Sequence, residues 1–135
     1  MRGCTVANLD IGDMGLGNGF QERVTHWLAD CFGPDIALDK LERVHRFLEE
    51  ALELAQASGC THEDAAALAD YVFSRPIGDV AQETGGVLVT LAGLAQAHAV
   101  NMNLAGDSEL ARNQSRVGEI RAKRANKRED SPLPQ

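Results

Sequence analysis

Aromatic side chains are scarce in this 135-residue chain, at 4% of residues, with one tryptophan and one tyrosine. A core must therefore be built from leucine, valine and alanine, which suits packed helices better than a sandwich or barrel. Cysteine is nearly absent too. Cys4, Cys31 and Cys60 are odd in number, far apart and form no Cys-x-x-Cys pair, which excludes a disulfide framework and a zinc signature. Reduced thiols in a cytoplasmic protein are the expectation. The N-terminus has no apolar stretch of signal-peptide type. The longest apolar stretch, around residues 85–95, is too short to span a bilayer and is flanked by Glu83, Gln96 and His98, so no membrane partner is expected. Strict alternation, internal repeats and heptad arrays are also lacking, and no strand is predicted.

What remains is ordinary globular usage, with 44% apolar and 24% charged residues, and a length that favours one domain. The net charge of −7 is unevenly spread. Between Arg112 and Arg128 seven basic residues face one acid, Glu119, for a local +6, which leaves −13 on the rest. An acidic body argues against nucleic acid as the partner, whereas the basic segment suits a phosphate on a ligand or a neighbouring subunit.

Residues 1–18 are rich in Gly, Asp and Asn without periodicity and read as a flexible arm. Gly15, Gly17 and Gly19 have the wrong spacing for a dinucleotide loop, and no strand precedes them, so a linker is the better reading. A domain is expected over residues 19–127, followed by a frayed tail over 128–135. Phe20 to Phe32 predicts a helix that buries Val24, Trp27, Leu28 and Cys31, ended by Gly33-Pro34. A long helix is expected from about Ile36 to Ala57, since Leu41, Val44, Leu48, Leu52 and Ala55 recur at three- and four-residue steps. Gly59 closes it. Thr61 and Asp64 have capping-box spacing and open a third helix to about Phe73. A fourth should run from Gly78 or Asp79 to about Leu104, and Gly106-Asp107-Ser108 should cap a fifth. The fold class is thus all-α, a bundle of four to five helices. The fourth helix is apolar over much of its circumference, which implies more packing partners than one short chain offers and hence a dimer or tetramer.

Chemistry concentrates at Glu49, Glu50 and Glu53. Positions three and four apart share a helix face, so Glu53 sits over both other glutamates. Such like charges repel by roughly a few tenths of a kcal/mol per pair in water, and a divalent cation reverses that sign. Hard oxygen ligands at fixed spacing suit Mg²⁺ or Mn²⁺. The plainer reading is an acidic surface face paired with Arg46, three and four residues earlier. Asp79 and Glu83 form a second pair at the start of the fourth helix. Asp79 reads equally well as a partner of the helix dipole. Glu83 leads straight into the apolar stretch and is expected to point into a packed interface. If the two long helices are antiparallel neighbours, both acidic pairs meet across one groove, as in the metal sites of helical bundles.

At these residues the chain resembles the MazG-like, all-α nucleoside triphosphate pyrophosphohydrolases. The resemblance covers roughly residues 41–127. It rests on Glu-Glu-x-x-Glu, on the acidic start of the next long helix followed by Gly-Gly-Val-Leu-Val-Thr-Leu, and on the basic terminal helix. It implies a dimeric or tetrameric helical bundle that needs Mg²⁺ and cleaves a nucleoside triphosphate to the monophosphate and pyrophosphate. Glu50, Glu53, Glu83 and Asp79 would hold the metal. Glu49, with Glu50 and Glu53 in the catalytic set, would orient or deprotonate the attacking water. Arg112-Asn-Gln-Ser-Arg116 and Arg121-Ala-Lys123 occupy the region where such enzymes present cations to substrate phosphates, with Arg116 and Lys123 the candidates. A solvated basic tail is the plainer reading of each. The sequence departs from the family pattern at Gly86, where an Asp is expected, so Asp79 must stand in.

Trp27, the only tryptophan, is a candidate for stacking on a base, although a core or interface role is the better reading. His45 and His98 read as surface or packing histidines. Two rivals remain: a phosphoribosyl-ATP pyrophosphohydrolase-like enzyme, and a non-catalytic helical interaction or nucleotide-binding module that kept the fold and lost the site.

Overall fold

The structure is a computed structural model that describes residues 19–130, with side chains as far as residue 126. The expected arm over 1–18, its Gly15 and Gly17, and most of the expected tail over 128–135 lie outside the described residues or side chains. Among the described residues there are seven helices and no strand, so the all-α expectation holds while the helix count exceeds four to five.

Helix α1 (Phe20–Phe32) matches its expected bounds. Gly33 ends it at φ 82° and ψ 161°, donating its N–H to the Ala29 carbonyl at 2.9 Å, an extended conformation at positive φ that essentially only glycine adopts. The expected long helix is two. Pro34 opens the short α2 (Pro34–Ala37), and a fresh start follows at α3 (Lys40–Ala57), where Asp39 accepts from the Glu42 N–H at 3.0 Å. An aspartate satisfying an orphan amide outweighs the unbroken apolar period across Leu38–Asp39. Helix α3 closes on Gly59 (φ 96°), with Gly59 N–H to Gln56 and Cys60 N–H to Ala55, a Schellman motif.

Thr61 caps α4 (His62–Phe73) by accepting from Asp64 N–H at 3.1 Å. Asp79 caps α5 (Val80–Ala97). The expected run to Leu104 stops short because Ala99 turns left-handed at φ 54° and closes a second Schellman motif, Val100 N–H to Ala95 and Ala99 N–H to Gln96. Asn101 then caps α6 (Met102–Gln114) by accepting from Leu104 N–H at 2.9 Å. Gly106-Asp107-Ser108 therefore lies inside a helix. The next break falls at Ser115–Arg116, before α7 (Val117–Asp130).

The chain divides into two compact units. Described residues up to Arg46 together with those from Gly106 form the terminal unit, and Phe47–Ala105 the middle unit. In the terminal unit α1 packs on α2 and α7, around buried Cys31, Ala37 and Leu110. Glu42 is buried there as well, at 7% exposure, among the guanidiniums of Arg43, Arg46 and Arg124. In the middle unit no residue is buried. Phe73 is 90% exposed and Ile77 fully so. No single described helix is long and apolar enough to cross a membrane.

Candidate functional site

The three glutamates of α3 fall on successive turns of the middle unit, Glu49 half-buried and Glu50 and Glu53 exposed. Arg46, the partner that spacing offers to Glu49 and Glu50, reaches Glu42 with its Nε at 3.2 Å. Glu49 and Glu50 have interaction partners of their own.

Asp79 serves as the N-cap of α5. Its Oδ1 accepts the Gln82 N–H at 3.0 Å, which satisfies one of the four orphan amides of the helix start. Glu83 is exposed rather than directed into packing. Its carboxyl folds back over Gly78, so closely that a Cβ at that position would collide with it.

The middle unit also fixes how the two carboxylate groups relate. His98 Nε2 lies 3.1 Å from Ser58 Oγ, so the C-terminal end of α5 meets the C-terminal end of α3. An antiparallel pair would bring unlike ends together; here like ends meet, and the two helices do not run along one another. Glu53 stands five residues before Ser58, about 8 Å along its helix, whereas Glu83 stands fifteen before His98, about 22 Å along its own. The groove expected between antiparallel neighbours is therefore not formed in one chain. Among the described residues no three His, Cys, Asp or Glu side chains converge where they could hold a metal ion.

The remaining candidates belong to the terminal unit. Trp27 packs edge-on against Phe32, centroids 6.1 Å apart at 71°, a favourable aromatic geometry. Arg116 donates from Nε to Glu119 at 2.9 Å. Lys123 is exposed. Neighbouring arginines are committed to the fold. Arg121 donates to the carbonyl of Cys31 at 2.6 Å and to that of Asp30, and so neutralises the negative end of α1, which has no basic residue in its own last turn. Arg124 and Arg43 lie over the Phe32 ring at 5.7 and 5.8 Å, within cation–π range. Burial pulls the Arg43 guanidinium below its ordinary value, partly offset by Glu42, and burial raises the Cys31 thiol against the opposing charge of Arg121. A depression of about 410 Å³ opens beside Phe32, bordered by Cys31, Ile36, Arg121 and Arg124.

Sequence reasoning missed the structural work of Arg121 and of Glu42. The signal for the first was present, since α1 ends without a cation of its own. Nothing in the spacing of Glu42 distinguished it from a surface glutamate. The chain matches no family model, no curated protein and no solved structure.

Proposed function

We propose that the protein is a Mg²⁺-dependent nucleoside triphosphate pyrophosphohydrolase of the MazG-like kind, active as a dimer or tetramer. The observation that carries this reading is Glu49, Glu50 and Glu53 on successive turns of one helix of the middle unit, in the same unit as Asp79 and Glu83. Glu53 lies within three or four residues of both other glutamates, so their oxygens share one helix face, and hard oxygen ligands of this kind suit Mg²⁺. The order of elements supports it as well: the Glu-rich helix, then an acid-started apolar helix, then a basic terminal helix. The carboxylates do not converge on one ion within a single chain, so the reading requires ligands from substrate or from another subunit.

A second reading, a non-catalytic helical interaction module, draws on the same geometry: no convergent triad, Asp79 spent on a helix cap, and Gly86 in place of a carboxylate. Incubation with a panel of nucleoside and deoxynucleoside triphosphates, with phosphoribosyl-ATP included and Mg²⁺ present, separates the two. The enzyme reading expects pyrophosphate release that Glu53→Gln abolishes without loss of helix content. No turnover with any nucleotide, together with no Mg²⁺ binding by calorimetry, leaves the interaction module.

A further inference from the structure

Trp27 Nε1, Arg43 Nε and Arg124 Nε are buried and have no hydrogen-bond partner among the described residues. All three side chains gather on one ring. Trp27 meets Phe32 edge-on, and the guanidiniums of Arg43 and Arg124 lie 5.8 and 5.7 Å from its centroid. Glu42 Oε1 is 3.6 Å from Arg43 and 3.7 Å from Arg124, too far for a hydrogen bond to either. The same oxygen already accepts from Arg46 Nε at 3.2 Å. Burial chiefly, with Arg46 and Arg124 adding to it against Glu42, holds the Arg43 guanidinium below its ordinary value. A buried N–H without an acceptor has given up water and gained nothing in exchange, so this cluster is short of acceptor oxygens and of negative charge.

The depression of about 410 Å³ adjoins this cluster. Arg124 and Phe32 border it, together with Cys31, Ile36, Arg121 and Ala125. Two of the six are cationic, none is acidic, and the others are apolar. Arg121 spends its Nε and Nη2 on the carbonyls of Cys31 and Asp30. Arg124 makes only its long ion pair with Glu42 and its contact with the Phe32 ring, and a fifth of its side chain stays open to solvent. Small-molecule pockets measure about 300–1,000 Å³ and join apolar walls to a few placed polar groups. This one falls at the small end of that range and has both.

We infer that the depression beside Phe32 binds a small organic anion, its oxyanion head on Arg124 and its apolar or aromatic body against Phe32 and Ile36. A carboxylate or a phosphate ester supplies the head, since either matches the planar fork of a guanidinium with two parallel hydrogen bonds. Arg43 adds its charge from the neighbouring side of the Phe32 ring. Neither Arg43 nor Arg124 is among the cations assigned to the triphosphate, and the carboxylates assigned to Mg²⁺ belong to the middle unit. The site therefore needs no metal, and it stands or falls independently of the pyrophosphohydrolase reading.

Trp27 is the only tryptophan, so its indole N–H gives one signal in a proton–nitrogen correlation spectrum, and that signal reports on the Phe32 cluster. The full chain is titrated in EDTA with benzoate, with phenyl phosphate and with neutral benzamide. The indole signal is expected to move saturably with at least one of the two anions, at a dissociation constant of about 1 mM or tighter. Benzamide, and NaCl at matched ionic strength, leave it in place. The tighter of the two anions identifies the head group. Arg124→Met keeps an apolar stem on Phe32 and removes the donors, and weakens anion binding at least tenfold. Ala125→Phe fills the depression without touching the Glu42 network and weakens it at least tenfold as well; this variant decides the matter if Arg124→Met unfolds. No saturable shift with either anion, benzamide binding as tightly as the anions, or undiminished binding to folded Arg124→Met or to Ala125→Phe overturns the inference.

Discussion

His98 and Ser58 join the C-terminal ends of α3 and α5, ring nitrogen to hydroxyl at 3.1 Å. Both ends are Schellman motifs, yet they differ in one residue. Gly59 holds the left-handed position of the first at φ 96°, and Ala99 that of the second at φ 54°. An alanine there suffers a Cβ–carbonyl clash of about 1–2 kcal/mol. Ala99→Gly is therefore expected to raise stability by about 0.5–1 kcal/mol after the entropy of the unfolded glycine is charged against it, and Gly59→Ala to lower it by about 1 kcal/mol. Urea denaturation of the two variants checks both signs. A destabilised Ala99→Gly would mean that the turn after α5 is not left-handed.

Arg121 is expected to act on stability rather than on substrate. Its guanidinium bonds to the Cys31 and Asp30 carbonyls, and charged hydrogen bonds of this kind contribute about 1.5–3 kcal/mol. Arg121→Ala should lower the unfolding free energy by about that amount, with Lys restoring little because an ammonium cannot span two carbonyls as a planar fork does. An unchanged melting curve would remove the cap from α1.

Glu42 should prove the most costly single acid to lose. It is buried and approached by three guanidiniums, Arg46 at 3.2 Å, Arg43 at 3.6 Å and Arg124 at 3.7 Å. Deleting one member of a buried ion network strands the others; the arginines keep some water, which reduces the usual 3–5 kcal/mol to about 2–3 kcal/mol. Glu42→Gln measured by urea denaturation tests this, and a loss under about 0.5 kcal/mol would mean that the arginines are solvated without it.

The outcome for Glu42 bears on what a sequence can reveal. The bounds of α1 and the Thr61 cap of α4 were legible because each rests on neighbours within one turn. The breaks at Leu38–Asp39 and His98–Asn101 were not. Apolar spacing continues across the first, and at the second an alanine takes a conformation that normally calls for glycine. Gly106-Asp107-Ser108 reads as a helix start and lies mid-helix, since Asn101 had already capped the amides five residues earlier. The Glu49, Glu50 and Glu53 face is a property of one helix and was visible from spacing. Whether other carboxylates of the same chain lie beside it depends on which helix ends meet, and the contact that joins those ends, His98 with Ser58, links residues forty apart.

Cys31 and Cys60 should differ sharply in reactivity. Cys31 is buried, and burial holds its thiol above the ordinary range, only partly offset by Arg121; Cys60 is half-exposed. The thiolate is the reactive species, so at pH 8 an alkylating reagent should label Cys60 rapidly and Cys31 only as the terminal unit opens. Because the folded state carries the raised value, it favours the neutral thiol. Stability from this group is thus full below the ordinary thiol range and declines as pH rises through it. Peptide mapping after timed alkylation reads both sites, and equal rates in native buffer would mean that Cys31 is not covered.

Glu53→Gln offers a test of the carboxylate face that does not depend on knowing the substrate. Without divalent metal the substitution removes one like charge from beside Glu49 and Glu50 and should leave stability unchanged or raise it by a few tenths of a kcal/mol. With metal the sign reverses. An ion that binds only the folded protein stabilises it by about 2.7 kcal/mol at a hundred times its dissociation constant, so titrating MgCl₂ should raise the wild-type melting temperature in a saturable way and leave that of Glu53→Gln nearly flat. The same titration with NaCl at matched ionic strength separates binding from screening, because screening acts on both proteins alike. Parallel curves for wild type and Glu53→Gln in Mg²⁺ would show that the three glutamates are a solvated face and not ligands.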